Sequence, residues 1–180
     1  ILEVKAVITG IQQAFSQTNT WLPVQAQITL DTTGRMLLGT DIGAALAILE
    51  GLAIDVIGLN CSTGPEHMRE PIRYLGENAA LPVSCIPNAG LPLNVDGEAV
   101  YPLGPEPFAA ALVEFVEKHH ISVVGGCCGT TPAHLKMLVE KLNRRPAPAR
   151  PTQALAQLAS ATRAIPMHQE PPPLLIGERC

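Results

Sequence analysis

Four times along this chain a short run rich in Val, Ile and Leu gives way to a stretch with helical apolar spacing, at intervals of roughly 30 residues. The pairs are "LPVQAQITL" (22–30) with "DIGAALAILEG" (41–51), "AIDVIGLNC" (53–61) with "GPEHMREPIRYLGE" (64–77), "LPVSCIPNAG" (81–90) with "GPEPFAAALVEFVEKHH" (104–120), and "ISVVGGCC" (121–128) with "TPAHLKMLVEKLN" (131–143). A helix over 1–17 precedes them, and residues 91–103 read as a Gly/Pro/Asn-rich loop. Pro65 and Pro132 sit at first helical turns, where the missing N–H is harmless; Pro71 is expected to kink or divide its helix. Strands that alternate with helices in this way form a parallel sheet, so the class is α/β. In a parallel sheet the loops after the strands share one edge, and sites are built on that edge.

The totals narrow the class of protein. Hydrophobic residues make up 47% and charged residues 16%, which excludes a disordered chain. A net charge of -4 offers no general attraction to nucleic acid, so no nucleic-acid partner is expected. No apolar run approaches the roughly 20 residues of a membrane span. The chain opens on "ILEVKAVITG" with no basic-then-apolar leader, and its five cysteines are an odd number. Both point to thiols or metal ligands in a reducing compartment, the cytoplasm, and away from a disulfide framework.

Composition shifts after Asn143. Seven of the 17 prolines lie beyond it, in stretches such as "RRPAPARPTQ" and "QEPPPLLIG". Residues 144–173 therefore read as a Pro-rich linker, with a short helix expected at "TQALAQLASATRA" (152–164). "LLIGERC" (174–180) reads as a strand cut off as it begins, and both ends look internal to a longer polypeptide.

Cys61 ends one predicted strand and Cys127–Cys128 end another, which brings all three thiols to the shared edge. Gly125, Gly126 and Gly129 let the backbone leave strand geometry, so that both adjacent sulfurs can turn toward one point. Three converging thiolates suit zinc, and three protein ligands leave a fourth position open, as catalytic sites do. Such a centre carries a formal charge of -1 and is a poor activator of water. It suits a fourth thiol, which it holds as a nucleophilic thiolate at neutral pH. A vicinal disulfide, or one core and one loop thiol, satisfies the same spacing. Cys85 reads as a core thiol, and Cys180 has no readable role. The five histidines are expected at the surface, with His67 the rival fourth ligand.

"GLNCSTGPEHM", then "PNAG", then "GGCCGTTPAHL" closely resemble the homocysteine S-methyltransferase domain of the cobalamin-dependent methionine synthases, over about residues 1–143. The tail "PPPLLIGERC" resembles the linker and first strand of the folate-binding domain that follows it in that family. The resemblance implies a (βα)8 TIM-type barrel of which this chain holds about the second half, four strands. It implies zinc on Cys61, Cys127 and Cys128, with homocysteine sulfur at the fourth position and methylcobalamin, bound by a region outside this chain, as methyl donor. Asn88 matches a residue at the metal that takes the fourth position before substrate arrives, or else is a turn residue ahead of Gly90. Asn60 and Gly126 match parts of the substrate site, and "DTTGRMLLG" (31–39) matches a loop on the same rim. The implied partners are homocysteine and the folate- and cobalamin-binding domains of the longer polypeptide. On this reading the half-barrel binds zinc but does not turn over alone. Three rivals stand beside it: a homocysteine methyltransferase using betaine or S-methylmethionine, a non-catalytic zinc module, and a thiol redox protein working through Cys127–Cys128.

Overall fold

The structure is a computed structural model and describes residues 2–143, 146, 149, 156–168 and 170–173. A helix, α1 (Leu2–Thr18), leads into β1 (Gln25–Ile28), α2 (Ile42–Leu49), β2 (Val56–Asn60), α3 (Pro65–Asn78) and β3 (Val83–Ile86). A hairpin of β4 (Leu93–Val95) and β5 (Glu98–Val100) intervenes before α4 (Pro105–His119), β6 (Val123–Val124) and α5 (Pro132–Leu142). A second hairpin, β7 (Gln157–Ala159) and β8 (Ala164–Pro166), closes the described part.

The main sheet has the order β1-β2-β3-β6, and every pairing in it is parallel. The register sets Ile28 beside Leu59 and Leu59 beside Cys85, and sets Gln27 beside Gly58 and Gly58 beside Ser84. Side chains alternate across a strand, so the two rows lie on opposite faces. Ile28, Leu59 and Cys85 belong to the buried core, where the Cys85 sulfur lies 3.8 Å from Met68 Sδ of α3. The other face is small and polar: Gln25 Nε2 donates to Ser84 Oγ at 3.2 Å, and Gln27 Nε2 donates to the same oxygen.

The helices form where sequence chemistry favours them. Gly104 caps α4, Pro105 opens it, and Glu106 in its first turn and Lys118 in its last complement the helix dipole. It ends on His120 at φ 56. Phe108, Leu112 and Phe115 recur at helical spacing and are fully buried. Burying each contributes roughly 1.5–3 kcal/mol.

Three expectations need correction. Helix α3 runs unbroken through Pro71, because Met68, Pro71, Ile72 and Leu75 are all buried and hold the turn despite the missing N–H. The loop 91–103 contains the β4–β5 hairpin, whose turn is tied by Asn94 Oδ1 accepting from Gly97 N at 2.9 Å. The helix expected at 152–164 is replaced, over its described part, by the β7–β8 hairpin. There Ser160 Oγ accepts from Thr162 N (3.2 Å) and Arg163 N (3.1 Å), and a hydroxyl that captures two backbone donors makes a turn of a helical-looking run. This hairpin is held to the start of α2 by Thr40 Oγ1 donating to Ala161 O (2.7 Å) and Asp41 N donating to Thr162 O (3.1 Å). The strand expected at 174–180, with Cys180, lies outside the described residues. No described helix is long and apolar enough to cross a membrane.

Candidate metal centre

The loops after β2, β3 and β6 meet at the edge of the sheet where the strands end. Strand β2 stops at Asn60, and Cys61 N still donates to Ile86 O of β3 at 3.1 Å. The chain then turns sharply: Cys61 and Ser62 have φ of 60 and 63, and Thr63 N donates back to Cys61 O at 2.7 Å. Left-handed geometry in a residue with a side chain costs roughly 1–3 kcal/mol and marks functional turns. The bend brings the Cys61 sulfur over the sheet edge.

The loop after β3 clasps the other two. Asn88 N donates to Thr63 O at 3.0 Å, Cys127 N donates to Pro87 O at 2.8 Å, and Ala89 N donates to Cys128 O at 2.9 Å. A Cβ on Gly64 would lie 2.6 Å from Gly90 Cα, so the first two loops touch backbone to backbone. Pairing of β6 ends at Val124, and the tandem cysteines stand in the loop beyond it.

Cys61 Sγ lies 3.6 Å from Cys128 Sγ, and Cys127 Sγ lies 3.8 Å from Cys128 Sγ. All three sulfurs fall within 4.8 Å of one another. These cysteines are free thiols, so no vicinal disulfide joins the tandem pair. A tetrahedral centre with Zn–S bonds of about 2.3 Å has edges of about 3.8 Å. The two shorter spacings match such edges, and the third pair lies within 4.8 Å. Among the described residues this is the group of His, Cys, Asp or Glu close enough to share an ion, and His67 is not in it.

The three thiols are not equivalent. The Ser62 N–H beside Cys61 lowers its pKa, helped by the other two thiols and by Asn88. Cys127 is pushed up to about 11, first by burial and then by its thiol neighbours. Burial also raises the Cys85 thiol in the core. Asn88 is 2% exposed, and its Oδ1 accepts from Cys128 N at 3.1 Å. Asn60 ends β2, where its Oδ1 accepts from Thr29 Oγ1 at 3.4 Å. Gly126 backs the loop, since a Cβ there would lie 2.6 Å from Thr130 Oγ1. Only Gly129 of the three flanking glycines is left-handed, at φ 75. The strained turn of the site thus falls on Cys61 and Ser62, where the residue types gave no warning.

Two further residues escape a reading of the sequence. Tyr101 follows β5 and lies against Gly129, the residue after Cys128; its pKa is raised by burial and then by the neighbouring thiols. His134 was expected at the surface and is buried instead, at 6% exposure. Its Nε2 donates to Leu103 O at 2.9 Å, and its Nδ1 accepts from Thr131 N at 3.2 Å. Within the loop 31–39, Asp31 Oδ1 accepts from Thr33 N, Thr33 Oγ1 and Arg35 N.

A partial parallel βα barrel with three cysteine sulfurs clustered on its strand-end rim is the class that fold and site define. Comparison with known proteins gives it a family. The family model for homocysteine S-methyltransferase matches residues 1–142, and the chain belongs to that family. It is 44% identical over 179 residues to the methionine synthase of Mycobacterium tuberculosis, and 44% identical over 184 residues to that of Mycobacterium leprae. Each match covers 99% of this chain, and the chain spans 15% of the length of either relative. Among solved structures, the metallated form of the homocysteine methyltransferase MmuM from Escherichia coli matches with a TM-score of 0.55 and 22% identity, over 76% of this chain and 41% of that one. Its apo form matches with a TM-score of 0.54, over 74% and 45%. At that identity the likeness speaks for the fold alone, and the fold is part of a TIM-type barrel.

Proposed function

We propose that residues 1–143 are the C-terminal half of the homocysteine-binding barrel of a cobalamin-dependent methionine synthase, and that Cys61, Cys127 and Cys128 hold its zinc. Residues 144–173 are then the linker and 174–180 the start of a folate-binding domain. One observation carries the reading: Cys61 Sγ on one loop stands 3.6 Å from Cys128 Sγ on another, and Cys127 Sγ stands 3.8 Å from Cys128 Sγ, close to the edge lengths of a zinc tetrahedron. When bound there, zinc keeps the sulfur of homocysteine deprotonated and nucleophilic at neutral pH. Methylcobalamin, carried elsewhere in the longer polypeptide, supplies the methyl group that makes methionine.

The chain's own residues prepare the centre. The Ser62 N–H favours the thiolate of Cys61, so this sulfur gives up its proton more readily than Cys127. Cys127 must lose a firmly held proton as metal enters. Asn88 fixes the Cys128 loop through the Cys128 N–H, and its carbonyl oxygen has a second lone pair with which to fill the fourth position before homocysteine arrives. Asn60 and Gly126 line the substrate side. A reducing cytoplasm keeps such exposed thiols free.

Cobalt substitution tests the reading. The protein should take up one equivalent of cobalt, lose it on Cys61→Ala, and change its thiolate charge-transfer spectrum when homocysteine is added. Stoichiometric cobalt with a spectrum indifferent to homocysteine would instead describe a closed structural site.

A further inference from the structure

We infer that His134 is a positioning residue for the tandem-cysteine loop: acting through segment 101–103, it fixes the carbonyl of Cys128 and with it the direction of the Cys128 side chain. The inference rests on the three-thiolate centre proposed above and adds to it a residue from the first turn of α5.

The connection is a closed circuit of hydrogen bonds. Cys128 O accepts from Ala89 N at 2.9 Å, Ala89 O accepts from Leu103 N at 3.0 Å, and Leu103 O accepts from His134 Nε2 at 2.9 Å. His134 Nδ1 accepts in turn from Thr131 N at 3.2 Å, which returns the circuit to the chain just beyond Cys128. Cys127 O, by contrast, is held within its own loop, by Thr130 N at 3.2 Å and Thr130 Oγ1 at 2.7 Å. The Cys128 carbonyl is thus tied outside its loop, and His134 anchors that tie. Segment 101–103 is also pressed on both loops. A Cβ on Gly90 would lie 3.1 Å from Leu103 Cβ, and one on Gly129 would lie 2.6 Å from Tyr101 Cδ2.

The partners dictate the state of the ring. A backbone N–H can only donate and a carbonyl oxygen can only accept, so Nδ1 is bare and Nε2 carries the proton. The neutral imidazole therefore serves as acceptor on one side and donor on the other. It is 6% exposed and meets the fully buried Phe108 ring edge-on, with centroids 5.4 Å apart. Hydrogen bonds in series polarise and strengthen one another, so loss of the last donor is felt along the row.

Two substitutions divide the functions of the ring. His134→Gln can keep a donor for Leu103 O, and His134→Asn can keep an acceptor for Thr131 N. Both lose the ring contact with Phe108, and both metal-free variants should melt below the unaltered protein. Against a chelator, His134→Asn should hold cobalt about 10-fold less tightly, the low end for groups one step removed from a metal, while His134→Gln should stay near the unaltered value. Amide exchange in the metal-free protein supplies a readout independent of metal: His134→Asn should speed exchange at Leu103 and Ala89, and His134→Gln should not. A residue that merely packs and caps α5 would make cobalt loss follow the melting temperature alike in both variants. That pattern, or unchanged Leu103 and Ala89 exchange in His134→Asn, overturns the inference. Failure of the underlying centre shows itself differently: the unaltered protein would then take up no stoichiometric cobalt, and the inference would fall with it.

Discussion

Asn88 Oδ1 accepts the backbone N–H of Cys128 at 3.1 Å, across two loops that leave neighbouring parallel strands 40 residues apart. The same residue's N–H donates to Thr63 O in the loop that carries Cys61. One buried asparagine thus bridges both sources of sulfur. Asn88→Ala should cost on the order of 1–3 kcal/mol, the usual penalty for stranding a hydrogen-bonding group in a buried site. Thermal melting of the metal-free protein checks the loss. Metal retention against a chelator should fall with it, because the Cys128 loop loses one of its ties.

Two glycines on this chain should respond oppositely to a methyl group. At Gly58, in the middle of β2, an added Cβ would lie 2.6 Å from Ser84 O and overlap the Ser84 side chain. Gly58→Ala should destabilise by about 1–3 kcal/mol through overpacking. Gly10 is an exposed position inside α1 with nothing within 4 Å of its Cβ site. Gly10→Ala should stabilise by roughly 0.5–1 kcal/mol, since alanine loses less backbone entropy in a helix. Denaturant melts of the two variants check both signs.

Metal uptake should release protons. Cys127, pushed up to about 11 by burial, holds its proton at neutral pH and must surrender it to become a ligand. Cys61, lowered by the Ser62 N–H, surrenders its proton at smaller cost. Protons compete with metal for the same sulfurs, so apparent affinity should fall as pH is lowered and rise as pH approaches the Cys127 value. Calorimetric titration in buffers of different ionisation enthalpy measures the release. A pH-independent affinity would mean that Cys127 is not a ligand.

The barrel class is legible in the residues because it rests on periodicity. Buried parallel strands such as Val56–Asn60 read as continuous apolar runs, and α4 declares itself through Gly104–Pro105 and the spacing of Phe108, Leu112 and Phe115. Convergence of the three thiols is legible for the same reason, since parallel strands bring the loops that follow them to one edge. The geometry inside those loops is not. Nothing in "NCSTG" announces left-handed backbone at Cys61 and Ser62, because glycine is the usual signal and is absent there. Tyr101 lies hidden in a stretch that reads as loop, and only the docking of segment 101–103 on Gly129 and Gly90 brings it beside the cysteine loop. The β7–β8 hairpin is disguised by helical spacing, and a single side chain, Ser160, decides against the helix.

Zinc-edge X-ray absorption with and without homocysteine tests the central claim most directly. The account predicts one zinc per chain with three sulfurs at about 2.3 Å and one lighter ligand, changing to four sulfurs when homocysteine is added. Four sulfurs or none from the protein alone, or a coordination sphere that ignores homocysteine, would contradict it.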